Sequence, residues 1–528
     1  MAAAVLAAAL AVLGHLLGWQ GVDTAAQAYR VDAFRHAGFT LWDFQWYGGH
    51  WTLDYSLLYP PLAATLGMLT VTVLSAAVAA WAFDRLARRH LGSAGPAASY
   101  VFAAGTLVAA SIGQLTSLAG EAFGLLALLA LSRGRHGRAM LLGLACTLTS
   151  PLTGAFLALA AVAWAVDGGL SRHRQTVVAG GALAAVAGLP IVLAAALFPG
   201  DGPMPYPAAD WAWEMVVAAA VGALAGRRHR VVALGAALFM VAATVSEVVP
   251  SALGGNVGRI EDMVALPLAV GLAWSRLPVL VPVAAVPLAL SQWSPAWGAF
   301  TTASSQPSTH ASFYASLERV LRQDAASGPA ARVEVVPTEY HWEAAYVPSV
   351  MPMARGWERQ LDEADNPIFY VPGRLTASAY RSWLLDNGVR YVALPSAPLD
   401  MAAREEGNLI SSGRVPGLRL IWRSPEWRLF EVSGATGIVS GPAQLVRADG
   451  SRVVLDASRP GPVTVRVRWS PAWYVSDGAG CVVRDRSWLS VDVRRAGQVT
   501  LAISPLRTTS TGCPQPVAGS VPTARPGA

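Results

Sequence analysis

The chain has 528 residues, 54% hydrophobic and 14% charged, where an ordinary globular chain carries about 25% charged residues. Its mean hydropathy of +0.41 excludes an ordinary soluble protein of this size. The formal charge is +6, yet the basic side chains are all Arg, with no Lys, which reflects a GC-rich genome more than a function. No basic face is interleaved with stacking aromatics, so a nucleic-acid partner is excluded.

In chain order, residues 1–300 carry apolar runs on the scale of the roughly 20 residues that cross a bilayer as a helix. About eleven spans are predicted, at 2–19, 58–82, 97–113, 115–132, 139–150, 152–166, 176–197, 212–226, 231–248, 262–275 and 278–291. The first lacks a basic leader region and is read as an uncleaved span, not a signal peptide. Arginines cluster between runs in DRLARRH (84–90), RGRHGR (133–138), Arg172 with Arg174, RRHR (227–230) and at Arg276. The positive-inside rule puts these clusters in the cytoplasm. One topology satisfies them all: N-terminus cytoplasmic, C-terminal half extracytoplasmic, and a reversal at Ser150-Pro151, where proline disfavours a continued helix.

The polar groups left over fall on the outer side. They lie in the 21–57 loop, at Glu121 near the end of its span, in the 199–211 loop, and in EVVPSALGGNVGRIED (247–262) with Asn256, Arg259, Glu261 and Asp262. Ionisable groups beside a membrane are a functional-site hypothesis by default.

An acid just past the first span, followed by a long aromatic loop, resembles the GT-C superfamily of polytopic membrane glycosyltransferases. The residues that carry the likeness are GVDTAAQAYR (21–30), LWDFQWYGGH (41–50) and DYSLLYPPL (54–62). The chain is most similar to actinobacterial membrane proteins labelled 6-pyruvoyl-tetrahydropterin synthase-related. That likeness extends to ARGWERQLD (354–362), YRSWLLDNGVRYV (380–392) and WRSPEWRLFEV (422–432). The resemblance implies a GT-C-like all-α polytopic bundle and a lipid-phosphate-linked sugar donor. By position Asp23 matches the first-loop acid and is the expected base, with Asp32 second. Arg259 is expected to hold a phosphate through its fork of donors. Glu121, Asn256, Arg30, Trp46, Tyr47, His50, Tyr55 and Tyr59 are expected around the substrate. No paired-acid metal motif stands out, so no metal or other cofactor is expected.

Plainer roles compete with each of these. Asp23 fits a helix cap, the Trp and Tyr residues fit an interfacial belt, and Glu121 fits a hydrogen bond inside the bundle. Arg259 fits an i,i+3 pair with Asp262, and His50 fits a structural role.

Residues 301–435 alternate helix-like stretches (FYASLERVLRQDAA, LTASAYRSWLLDNG) with strand-like ones (RVEVVPT, GVRYVALP) and predict an exported α/β domain. Arg355, Trp357 and Glu358 either face the cavity or pin this domain to the membrane half. Residues 436–520 alternate with period two and predict a β-sandwich-like domain, with Trp473 and Tyr474 as glycan contacts by analogy with other sandwiches. Residues 521–528 read as a disordered tail. Cys146 reads as a small core residue, and Cys481 and Cys513 form a disulfide if exported and close.

The function expected is transfer of a sugar from a polyprenyl-phosphate donor to a cell-envelope glycan or glycolipid acceptor on the outer face of the plasma membrane. A non-catalytic scaffold and a transporter are the alternatives, although no inverted repeat supports the second.

Overall fold

Small residues at four-residue spacing let helices approach closely, and the first half of the chain is built that way. The computed structural model describes all residues except 201, 275–279, 326–328, 508–512 and 514–528, so Arg276 and the predicted tail lie outside the described residues. The membrane half is helical: α1 (Ala2–Leu16), α2 (Thr24–Ala37), α3 (Tyr59–Leu66), α4 (Met68–Leu91), α5 (Gly95–Ile112), α6 (Leu115–Ser132), α7 (His136–Thr149), α8 (Pro151–Leu170), α9 (Arg174–Leu197), α10 (Ala208–Ala225), α11 (Arg230–Val248), α12 (Arg259–Ala273) and α13 (Leu280–Trp293). Ala3, Ala7 and Ala11 of α1 pack on Ala76, Ala79 and Ala80 of α4 and on Ala98 of α5.

Each predicted span overlaps helix, although 58–82 is cut at Gly67 into α3 and α4, and the count of about eleven crossings does not follow. Among the described residues, six stretches are long and apolar enough to cross a membrane: Met68–Ile112, Leu115–Ser132, Pro151–Leu170, Arg174–Leu197, Ala208–Ala225 and Arg230–Val248. The first of them contains both α4 and α5. The helices α1, α7 and α12 are shorter, because Leu17–Gly18, Ser150-Pro151 and the glycine-rich turn before Arg259 cut them. At Ser150-Pro151 the chain reverses. Ser150 accepts a bond from the Thr153 amide as N-cap, and a Cβ on Gly154 would lie 2.8 Å from that of Thr147.

The arginine-bearing turns and the remaining helix ends separate in space. The ends without arginine clusters meet the C-terminal half or the 21–57 loop: Gly18 lies on Ser304, Leu57 N–H donates to Leu148 O (2.8 Å), Phe198 packs on Trp51 (5.2 Å), and Gly202 abuts Gln360.

The loop after α2 forms a two-strand ribbon, β1 (Trp42–Asp43) against β2 (His50–Trp51). Tyr47, Gly48 and Gly49 all take positive φ at its tip. Here only glycine fits at position 49, since a Cβ would enter the Trp42 indole.

After α14 (Trp297–Thr301), the predicted α/β domain forms a mixed sheet in the order β3 (Arg332–Val335), β4 (Val389–Pro395), β6 (Trp427–Val432), β5 (Leu418–Arg423). β3 and β4 are parallel and the other pairs antiparallel. Alternation sends Val333, Tyr391 and Leu429 to one face, under α15 (Ala311–Ala325). It sends Val392, Leu394 and Phe430 to the other, under α18 (Ala377–Asp386) and α19 (Arg404–Ser411). Between β3 and α18 lie the short helices α16 (Glu343–Tyr346) and α17 (Arg359–Asp365).

The last region is two four-stranded antiparallel sheets, β12-β13-β10-β7 and β11-β14-β9-β8, formed by β7 (Val439–Ser440), β8 (Ala443–Asp449), β9 (Arg452–Ala457), β10 (Gly461–Arg468), β11 (Trp473–Asp477), β12 (Gly480–Asp485), β13 (Trp488–Val493) and β14 (Gly497–Ile503). Their inner valines and leucines share one core. Cys481 and Cys513 are disulfide-bonded, with Cα atoms 5.2 Å apart. Tyr474 carries a guanidinium over its ring (Arg507, 4.4 Å), and Trp473 is fully buried in the sandwich core, so Trp473 offers no face to a glycan.

Arg355 of the ARGWERQLD stretch is buried inside the α/β domain. It donates to Glu334 (Nε–Oε1 2.8 Å), pairs with Glu406, lies 4.0 Å from Asp362 and stacks 3.7 Å above Phe369. Burial pushes the Glu334 carboxyl up, despite the Arg355 charge that opposes it. Removing the cation that Glu334, Glu406 and Asp362 all face would leave them uncompensated in the interior, a loss of about 3–5 kcal/mol. Arg355→Ala is therefore expected to unfold the C-terminal half at a much lower temperature, whereas Arg355→Lys, which keeps the charge but loses the fork, falls between. Intrinsic fluorescence melting checks both, and a wild-type Tm for Arg355→Ala would refute the assignment.

Candidate functional site

Asp23 stands at the N-cap position of α2, but its side chain makes no capping bond. Its backbone is fixed by the turn between α5 and α6. Gly21 and Asp23 donate to the carbonyls of Ser111 (2.6 Å) and Ile112 (3.0 Å), and left-handed Gly113 lies directly against the Asp23–Thr24 peptide. The carboxylate points to Arg259, with Oδ2 3.9 Å from Nη2. Arg259 begins α12 after the turn Gly254–Gly258, which rests on the 203–207 loop through Gly254 against the Met204 carbonyl. Glu214 occupies the space beside Gly258 and accepts from Tyr206. Asn256 bonds only within its own turn, to Ala252 O (3.5 Å).

From Asp23 the face of α2 continues through Gln27 to Arg30. Gln27 donates to the Tyr55 hydroxyl (3.1 Å), which lies 3.2 Å from Thr116 Oγ1 of α6. Arg30 stacks over the Tyr55 ring (4.1 Å) and pairs with Glu358 of the α/β domain. Arg30, Tyr55 and Glu358 line a loop cavity of about 480 Å³ that also takes in Asp32, Asp43, His50 and Asp54. Asp32 sits at the rim beside His36 (3.4 Å), on another face of α2 from Asp23.

Asp43 lies deeper, with Oδ2 accepting from Tyr29 (2.7 Å) and 3.3 Å from His50 Nε2. Burial alone would lower the His50 pKa, but the bond to Asp43 and the charges of Glu358, Asp43 and Asp54 outweigh it and hold the imidazole at about 9.

A second cavity of about 310 Å³ lies inside the helical half and is almost wholly apolar, with Phe156, Leu128 and Leu268 in its walls. Its polar wall atoms include the carboxyls of Glu121 and Glu261. Glu121 is buried and its Oε1 has no hydrogen-bond partner. Glu261 is two residues past Arg259 on α12, so that helix borders the apolar cavity, while α2, which follows Asp23, borders the loop cavity through Arg30; Asp23 and Arg259 themselves line neither.

The predicted set is thus divided. Asp23 and Arg259 meet, and the ion pair found for Arg259 is this one and not the alternative i,i+3 pair with Asp262. Arg30, Asp32, His50 and Tyr55 line the loop cavity, with Trp46 sealed behind its wall, Glu121 lines the apolar one, and Asn256 reaches neither. Trp46, Tyr47 and Tyr59 have no exposed surface, so they are interior packing and offer no face for a sugar. Trp46 stacks on Tyr29 (4.1 Å) and donates to Ala344 O, and the Tyr47 hydroxyl is held by the Glu358 backbone. Sequence reasoning missed Asp43 and Thr116. The first stood in plain view within LWDFQW, but it was hidden among aromatics taken as the working groups.

No family model matches the chain, and no curated protein matches it. Among solved structures it is similar to ArnT from Cupriavidus metallidurans in the apo state, at 14% identity over 81% of this chain and 98% of that one, with a TM-score of 0.39. At that depth the likeness assigns no chemistry. None of these comparisons supports the pterin-synthase-related likeness.

Protonated His50 adds stability that is complete below its unfolded value near 6.5 and is lost as pH rises through about 9. Thermal melts between pH 6 and 10 should show a fall that His50→Gln abolishes, worth on the order of 3 kcal/mol. An unchanged slope in that variant would place the titration elsewhere.

Proposed function

We propose that this chain is a GT-C-type glycosyltransferase that moves a sugar from a polyprenyl-phosphate donor to a cell-envelope acceptor on the outer face of the plasma membrane. The observation that carries the reading is the partly exposed Asp23–Arg259 pair, joining two helices of which α12 borders an apolar cavity through Glu261 and α2 a polar one through Arg30. An amphiphilic donor fits that order, with its hydrocarbon in the cavity lined by Phe156 and Leu268, its phosphate at Arg259, and its sugar toward Gln27 and Arg30. The separation of the arginine-bearing turns from the ends that meet the C-terminal half supports the outward placement.

In a single displacement, the acceptor hydroxyl gives its proton to Asp23 as its oxygen attacks the anomeric carbon. The bond from that carbon to the phosphate oxygen breaks, and the polyprenyl phosphate leaves with the electron pair. Arg259 exchanges its contact with Asp23 for the phosphate, which frees the carboxylate at the moment donor arrives. Asp32, at the rim and turned away from Arg259, is the less suited of the two acids.

The test uses purified protein in nanodiscs, labelled polyprenyl-phosphate mannose and arabinose, and an envelope acceptor fraction. Wild type is expected to transfer label, and Asp23→Asn to lose at least about 100-fold in kcat with its Tm unchanged. Arg259→Lys should raise the KM for donor by about tenfold, since a point charge replaces the fork. Absence of both transfer and donor binding would leave a scaffold; transfer that survives in Asp23→Asn would move the base.

A further inference from the structure

We infer that the loop cavity is the acceptor subsite and that it takes an uncharged, polyhydroxylated saccharide while turning anionic saccharides away. This rests on the transferase reading and names the acceptor class for the same site.

Three bodies build the cavity. α2 and the aromatic loop form one wall, Pro348 and Glu358 of the α/β domain a second, and the Ala448–Gly450 hairpin of the sandwich a third. The hairpin is fixed in place, because the Leu41 and Trp42 amides both donate to Gly450 O at 2.9 Å. Its volume of about 480 Å³ lies in the range of small-molecule sites.

Its charge is one-sided. Asp32, Asp43, Asp54, Glu358 and Asp449 all line it. Of the basic groups that line it, Arg30 is taken up by Glu358, His50, protonated at neutral pH, by Asp43, and His36 lies 3.4 Å from Asp32, while Arg447 outside the lining holds Asp449. Carboxylates therefore outnumber the cations. An incoming carboxylate or phosphate finds no free guanidinium there and meets a negative field.

The same acids suit hydroxyl donors. Asp43 is oriented by Tyr29 (2.7 Å) and the Gln45 amide (2.8 Å), and Asp449 by Arg447 (2.9 Å). Each oriented carboxylate keeps lone pairs for further donors, and hydrogen bonds to an ionised acceptor are about twice as strong as neutral ones. Phe39 and Tyr55, 60% and 37% exposed, give the same cavity apolar ring surface for the C–H face of a sugar. These are the accessible rings of the loop, whereas Trp46 and Tyr47 are sealed.

The experiment measures equilibrium binding to full-length protein in nanodiscs, without donor. The probes are neutral trisaccharides of mannose, arabinose and glucose, with trigalacturonic acid as the anionic one. At low ionic strength at least one neutral probe should bind about tenfold or more tighter than the acid. The gap should narrow as salt rises to about 0.5 M, where charges are screened within a few ångström. Asp449→Arg, at the exposed rim, should also narrow it by tightening binding of the acid. Equal affinities, a preference for the acid, or no saturable neutral binding by folded protein would overturn the inference. Because no donor is present, neutral binding that persists while Asp23-dependent transfer fails would sink the transferase reading alone.

Discussion

One wedge holds the molecule together: the aromatic ribbon of residues 41–51, inserted between the two C-terminal domains. Trp42, Phe44 and Trp51 complete the hydrophobic core of the sandwich, where Trp42 meets Trp473 edge-on at 5.6 Å. Trp46 and Tyr47 face the other way, into a cluster with Ala344 and Leu361 of the α/β domain. Burying so much aromatic surface stabilises by about 25 cal/mol per Å², so the membrane half supplies core that neither domain completes alone. The turn at Tyr47, Gly48 and Gly49 allows this double insertion. Its left-handed backbone lets Trp488 press on Gly48 while Arg468 donates to the Tyr47 carbonyl at 2.8 Å.

That constraint positions the rest. α2 precedes the wedge directly, so its register is set at one end by the ribbon and at the other by Gly113 under the Asp23 peptide. Arg30 adds a third fixing point through Glu358. Of the ARGWERQLD stretch, Arg355 serves the interior of its own domain, while Gly356 gives room to Trp46 and Glu358 reaches the helix. The stretch thus pins the domain and also contributes to the cavity, so the two roles set against each other in the sequence both occur. Trp357 joins the pinning contact: it packs against the cluster of Tyr29, Trp46 and Tyr47 and stacks on buried His341 at 3.4 Å.

The sequence made the gross organisation readable because its signals are local. Apolar runs, arginine clusters and the change to period-two alternation depend on neighbours, and the helices and sheets follow them. The break at Ser150-Pro151 was legible for the same reason. What stayed hidden depends on contacts between residues hundreds of positions apart. Trp46 and a sugar-stacking Trp have the same sequence appearance; only the approach of Gly356 separates them. Arg259 was legible as a polar residue on the correct face, but its partner was not, since the i,i+3 neighbour Asp262 offered a simpler pairing than an Asp more than two hundred residues earlier.

The arrangement of charge follows the same logic of access. Deep in the C-terminal half, Arg355 is satisfied by Glu334 and Glu406, and such networks contribute specificity of fold more than net stability. The Asp23–Arg259 pair differs: at 3.9 Å it has no direct hydrogen bond, and both side chains remain about 30% exposed. A partly wet ion pair of that kind contributes little to stability, commonly under about 1 kcal/mol. Little is therefore lost when a ligand separates it, whereas breaking the Arg355 network would cost several times as much. Under the proposed function, this weak pairing is what lets an anionic donor compete for the guanidinium and release the carboxylate beside it.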